Sequence, residues 1–205
     1  MASESSTGRS IVVYPDPVLL RKAAPVERID SWVRDLVDDM VRIMRDLDGA
    51  GIAAPQVGES VRIFVVEGRD ATESTPAEPL GVYINPVLSA PTGAVEPYEE
   101  GCLSLPEIRA DIRRPPTITI TAMDLEGRSF TRTSGGFLAR VWQHEFDHLE
   151  GTLITDRMTA IDKLACRNQI KTLQADWDAE HAPPPAPPPE ASGKRSGFLR
   201  GFKRR

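Results

Sequence analysis

FLARVWQHEFDHLEG, residues 137–151, decides how the rest of the chain is read. Phe137, Leu138, Val141 and Trp142 precede two histidines four residues apart, and Gly151 closes the run. This spacing predicts a helix apolar enough to be buried. A buried helix does not carry His144, Glu145 and His148 without partners for them. On one helical face, residues four apart hold their Cβ atoms roughly 5–6 Å from each other. One imidazole nitrogen from each histidine can then reach a single metal at about 2.0–2.1 Å. Glu145 is turned about 100° from His144. That sets it beside such a metal rather than on it, where a general base for water belongs. The competing reading is a polar, solvated helix face.

Two histidines do not hold a catalytic metal; three protein ligands with one open position are needed. The metzincin proteases place a third histidine six residues beyond the second, but here Ile154 stands at that position and the reading fails. The remaining candidate is Cys102, in EGCLSLP (100–106). Gly101 permits a sharp backbone and Pro106 ends the segment rigidly, so a tight turn holds the sulfur. A small buried hydrophobe is the equal alternative for Cys102. It is the natural reading of Cys166, which the pattern puts mid-helix beside Leu164, Ala165 and Arg167.

Outside this helix the pattern is mixed. Asp30 or Ser31 can cap a helix in which Val33, Leu36, Val37, Met40, Met44 and Leu47 recur at helical spacing, stopped by Asp48-Gly49. GAGIAAPQVG (49–58) reads as a turn and VRIFVV (61–66) as a strand, followed by a polar loop over 68–80. GVYINPVLS (81–89) is extended, with Pro86 confining it to an edge or a break. TITITAM (117–123) alternates as a strand does, and RSFTRT after an Asp-Leu-Glu-Gly turn completes a hairpin. A last helix is expected over 158–179. Strands and helices come in blocks, which predicts an α+β fold: antiparallel sheets around a central metal-binding helix, with a C-terminal helix.

Composition narrows the class. The chain has 205 residues, 40% hydrophobic and 27% charged, ordinary for one globular domain. We expect a disordered segment over 1–10, a hydrolase domain over 11–181, and a proline-rich spacer with a basic tail over 182–205. The net charge is −5, yet KRSGFLRGFKRR (194–205) holds six cations and no anion. An acidic body argues against direct gripping of DNA. With two cysteines, a polar start and no run approaching the roughly 20 apolar residues of a membrane span, a cytoplasmic location is expected.

GAGIAAPQVG, EGCLSLP and QHEFDHLEG, in that order, resemble the three signature motifs of the bacterial peptide deformylases, and YPDPVLLRKAAPV (14–26) resembles their N-terminal stretch. The resemblance covers about 11–179. It implies a metal-dependent hydrolase that removes the formyl group from the N-terminal methionine of nascent polypeptides, releasing formate. It implies Cys102, His144 and His148 as ligands of one Fe²⁺, replaceable by Zn²⁺ or Ni²⁺, and Glu145 as the acid/base. Gln56 and the backbone N–H of Leu103 become the oxyanion donors, and Gly51 and Arg109 the binders of the substrate backbone. Ala50 is smaller than the aliphatic residues usual there, so the methionine pocket is expected to differ in detail.

Read without the resemblance, Gln56 is a turn residue capping its own backbone, Gly49 and Gly51 are turn geometry, and Arg109 is a solvated charge in a loop with Arg113 and Arg114. Asp147 and Glu100 each read either as partners of a ligating histidine or as exposed charges. Two other functions compete: a general metallopeptidase with a wide cleft, and an inactive metal-binding or ribosome-associated module. Intact Glu145 and Gln56 count against the second. The tail, with Phe198, Leu199 and Phe202 among its cations, suits ribosomal RNA, against an anionic membrane surface or a merely solvating tail.

Overall fold

The alternation in TITITAM buries Ile118, Ile120 and Ala122 on one side and turns the threonines to the other, so Thr117–Met123 forms β6. In the computed structural model, which describes residues 8–68 and 79–182, β6 lies in a five-stranded antiparallel sheet. The order is β1 (Gly51–Ala53), β2 (Ile63–Val66), β3 (Gly81–Thr92), β6 and β7 (Ser129–Gly135). The expected hairpin is β6–β7, in register from Thr117 opposite Gly135 to Met123 opposite Ser129.

Pro86 falls at a break, as expected: β3 pairs β2 only over Gly81–Ile84 and β6 on its other side, and the register shift between Ile84 and Val87 absorbs the missing N–H. Asn85 adopts a positive φ of 50° there. Its side chain accepts from Val26 N and donates to Val26 O, both at 2.8 Å, tying the N-terminal segment to the bulge.

Helix α1 (Ser31–Asp46) is capped by Asp30, whose carboxylate accepts from Val33 N at 3.3 Å. Val33, Leu36, Val37, Met40 and Met44 pack on one face of the sheet with Ile63, Val65 and Ile84. Helix α2 (Gly136–Leu149) covers the other face, where Trp142 meets Tyr83 edge-on at 5.7 Å between ring centroids. The α+β architecture expected from the blocked strands and helices is the one adopted.

The sequence reading missed a hairpin, β4 (Glu96–Cys102) with β5 (Leu105–Arg114). Its alternation is concealed because several outward and some inward positions carry charge. Leu105, Ile108, Ala110, Ile112 and Arg114 are the buried residues of β5. Arg113 and Arg114 therefore lie on a strand, not in a loop, and Arg114 is buried rather than solvated.

The expected C-terminal helix is two pieces, α4 (Ala160–Ala165) and α5 (Arg167–Glu180), with a short α3 (Ile154–Arg157) before them. Thr159 caps α4, and Cys166 sits at the α4–α5 junction instead of mid-helix, buried beside the third apolar cluster. Ile161 and Leu164 mark helical period without finding a core, at 79% and 65% exposure. Ile154 is buried in that same cluster, with Val18, Leu19 and Ile112. Among the described residues no helix is long and apolar enough to cross a membrane. Most of the 68–80 loop, the polyproline segment and the basic tail lie outside the described residues. Arg9, inside the expected N-terminal disorder, pairs with Asp39 at 2.9 Å and Glu59 at 3.2 Å.

Candidate metal centre and active site

α2 presents His144 and His148 one turn apart, their rings edge-on at 5.2 Å. β4 ends at Cys102, where a bulge follows Gly101 and a two-residue turn, Leu103-Ser104, leads back to Leu105. That bulge aims the sulfur at the helix. One donor atom from each of Cys102, His144 and His148 lies within 4.8 Å of the others. A sulfur and a nitrogen bound tetrahedrally at about 2.3 Å and 2.05 Å lie about 3.6 Å apart. Cys102 Sγ and His148 Nε2 are 3.4 Å apart, so the donor set fits one divalent cation.

Glu100, two residues before Cys102 on the same face of β4, orients His144. Its Oε2 is 3.0 Å from His144 Nδ1, which leaves Nε2 facing the cluster. Its remaining acceptor sites are filled by Arg114, through Nε at 2.7 Å and Nη2 at 2.9 Å, and by Arg140 Nη1 at 2.8 Å. Burial opposes ionisation of Glu100, but the Arg114 guanidinium and His144 outweigh it and hold the carboxyl at about 2. Arg114 also donates to Asp147 at 2.8 Å, and Arg157 from α3 closes on the other side of Asp147. Both ambiguous acids are thus buried partners of the centre's frame, Glu100 directly and Asp147 through Arg114. Sequence reasoning missed Arg114, Arg140 and Arg157. For Arg114 a signal existed, because Ile108, Ala110 and Ile112 set a period of two on which it falls.

Glu145 is buried, and its Oε2 has no hydrogen-bond partner among the described residues. Burial pushes its carboxyl up to about 7, with the charges of His144 and Arg114 only partly opposing. Burial also holds His148 well below the ordinary imidazole value, favouring the neutral form that a metal ligand requires. The carboxylate abuts β1: a Cβ on Gly51 would lie 2.7 Å from Glu145 Oε1 and 2.9 Å from Val141 Cγ1. Gly51 is thus demanded by close packing against Glu145, not by turn geometry. Gly49 is likewise crowded, its Cβ position lying 2.9 Å from Leu103 Cδ1. Ala50 packs against the α2 side of the sheet.

GAGIAAPQVG is a short edge strand followed by a 3-10 turn, Ala54–Val57, rather than a turn throughout. Gln56 is buried, and its Oε1 accepts from Ala53 N at 2.8 Å. This local bond is the cap expected of a turn residue, and it also fixes the amide so that Nε2 faces the β4–β5 turn. Nε2 lies 3.7 Å from Cys102 Sγ and 3.4 Å from Ser104 Oγ. Leu103 occupies the turn next to it. Arg109 is on β5 opposite Gly101, exposed and 3.4 Å from Glu99. The third histidine of the chain, His181, caps the C-terminal end of α5 and stacks on Trp177 at 4.0 Å.

A sequence model of the polypeptide deformylase family matches residues 8–164. A peptide deformylase of Maricaulis maris is 37% identical over 174 residues, 85% of this chain and 98% of that protein. One of Dictyoglomus turgidum is 47% identical over 150 residues, 73% of this chain and 92% of the other. A crystal structure of a plant peptide deformylase covers 89% of this chain and 98% of its own, at 35% identity and a TM-score of 0.80. One from Plasmodium falciparum covers 85% and 100%, at 35% identity and a TM-score of 0.78. The buried HExxH helix with its cysteine partner sits in a fold and a sequence shared along nearly the full length of these enzymes, and the chain belongs to the polypeptide deformylase family.

Proposed function

We propose that Glu145, Gln56 and Leu103 carry out the deformylation characteristic of the family, at a cation held by Cys102, His144 and His148. The substrate is the N-terminal formyl-methionine of nascent polypeptides, and the products are formate and a free amino terminus. When bound, the divalent cation supplies Lewis acidity that brings the pKa of water towards neutrality. Fe²⁺ is the native ion in this reading; a thiolate ligand beside iron then makes the centre sensitive to oxidation.

Glu145 accepts the proton of the attacking water and returns it to the departing amine nitrogen, so one carboxyl serves both steps. Its raised pKa suits a group that must both take and give a proton near neutrality. Charge then develops on the formyl oxygen. Gln56 Nε2 and the Leu103 backbone N–H are the donors that meet it, preorganised because Ala53 N–H already holds the Gln56 oxygen. Gly51 lies on the sheet's edge strand, where a substrate backbone can align, and Arg109 adds a cation at the rim.

The observation that supports this reading most is the meeting of three soft or borderline donors from two elements beside a buried carboxylate and an amide that faces the β4–β5 turn. The test is a comparison of formyl-Met and acetyl-Met peptides. Formate release from the first with no cleavage of the second is expected; equal rates sink the proposal. Residues 11–181 form the catalytic unit in this reading, working in the cytoplasm. The basic tail, 194–205, contacts the ribosome, and ribosome co-sedimentation that is unchanged after removal of the residues beyond Pro189 rejects that part.

A further inference from the structure

The two oxyanion donors stand on different elements: Gln56 on the 3-10 turn after β1, Leu103 on the β4–β5 turn. The direct side-chain links between these turns are long, 3.4 Å from Gln56 Nε2 to Ser104 Oγ and 3.7 Å to Cys102 Sγ. Shorter links run through a third piece of chain. Val12 N–H donates to Gln56 O at 2.7 Å, and Tyr14 N–H donates to Ser104 O at 2.9 Å. Two residues of chain span at most roughly 7 Å, so these two bonds cap the separation of the turns.

The segment making them is anchored on both sides. Upstream, Ile11 packs against the α1-side cluster, while Arg9 pairs with Asp39 and Glu59 and lies over the Trp32 ring. Downstream, Val18 and Leu19 are buried in the third cluster, against which Val12 and Tyr14 also pack. The segment is thus held by two cores and touches both donor-bearing turns by their backbones.

We propose that Val12–Tyr14 is a positioning strap that sets the gap between Gln56 and Leu103, and so the aim of the oxyanion donors. It rests on the reading of those two residues as donors. The strap touches no substrate; it acts through the turns it ties together. Donors that strengthen only as charge develops raise kcat without changing KM, and the strap inherits that signature.

The test removes one backbone N–H and otherwise only weakens the Ile11 carbonyl as an acceptor. Val12 is replaced by α-hydroxyisovaleric acid, so that an ester oxygen stands where the donor was, and the metal-loaded full chain is assayed on a formyl-Met peptide. We expect kcat to fall at least about tenfold, short of the roughly 10²–10³-fold cost of losing a donor outright, with KM and metal content unchanged. Val12→Ala, which keeps the N–H, is expected to retain most of kcat. In a Gln56→Ala background the ester is expected to cost little more, because the donor it aims is gone. Unchanged kcat in the ester variant, or additive losses in the double variant, overturns the strap. Unchanged kcat in Gln56→Ala alone overturns instead the donor reading beneath it. Should the ester protein not fold, Arg9→Ala loosens the upstream anchor and must give the same pattern in smaller measure: lower kcat, constant KM, non-additivity with Gln56→Ala. Full activity in that variant overturns the strap as well.

Discussion

Replacing Glu100 by Gln keeps the shape of the side chain and removes the charge on which His144, Arg114 and Arg140 converge. The fold holds this carboxyl at about 2 against an ordinary value of 4.5. At 1.36 kcal/mol per unit, keeping it ionised stabilises the native state by on the order of 3 kcal/mol at neutral pH. The side chain is only 6% exposed, so solvent screens little of this. Because the folded value lies below the unfolded one, the contribution is complete above about pH 4.5 and is lost as pH falls through 2. Glu100→Gln resembles the protonated state at every pH. It should melt roughly 6–12 °C lower at pH 7 and bind its cation about 10–100-fold more weakly, His144 having lost its orienting carboxylate. Urea unfolding of both proteins between pH 7 and pH 2.5, with metal saturating at the start, separates the effects. Because the two chains differ in affinity, acid releases their metal at different pH; a parallel series on the chelated, metal-free proteins removes that difference, and the gap between its two pH slopes isolates Glu100. Equal midpoints at pH 7, or parallel slopes below pH 4.5, would refute the argument.

Gly51→Ala forces a methyl to within 2.7 Å of Glu145 Oε1 and 2.9 Å of Val141 Cγ1. Since both lie on the buried face of α2, the carboxylate must move: kcat should drop on the order of 10²-fold, with about 1–3 kcal/mol of overpacking in a stability assay. A fully active Gly51→Ala enzyme rejects the packing argument. Glu145 must be ionised to accept a proton, so kcat/KM should decline on the acid side. Burial, partly offset by the charges of His144 and Arg114, puts that limb near 7, and a bound dication, favouring the carboxylate, moves it lower; a pH–rate profile with its acid limb well above 7 contradicts this. Chelation should abolish formate release and lower the melting temperature, by the equivalent of about 2.7 kcal/mol where metal had stood at a hundredfold its Kd. Fe²⁺ added without oxygen should restore both. Activity surviving in protein shown by elemental analysis to be metal-free would exclude the centre described above.

The elements legible in the sequence are those whose cause is local. Asp30 and the 3.6-residue period define α1, Thr117–Met123 alternates cleanly, and the apolar start of α2 marks it as buried. The pair His144 and His148 with Glu145 is proposed from helical spacing, and Cys102 joins them as a candidate through the order of the motifs; the structure brings the donor atoms of all three candidate ligands within 4.8 Å of one another. The β4–β5 hairpin was not legible, since Glu100 and Arg114 are charged residues on buried positions whose burial is made tolerable by pairing with each other and with Arg140, His144 and Asp147. The C-terminal helix was misjudged in its continuity for a related reason. Period reports which residues share a face, and no sequence feature says that Ile161 and Leu164 stay largely exposed among the described residues.

By itself the sequence determined which chemistry the chain can perform, because donor identity and helical spacing survive any change of surroundings. Tertiary structure alone decided that Cys102 meets His148, that Glu100 steadies His144, and that Val12 and Tyr14 join two turns. Each of these joins residues more than 40 apart along the chain. Such contacts depend on strand register and on the bulge after Gly101, and these are set only when the sheets and helices pack together.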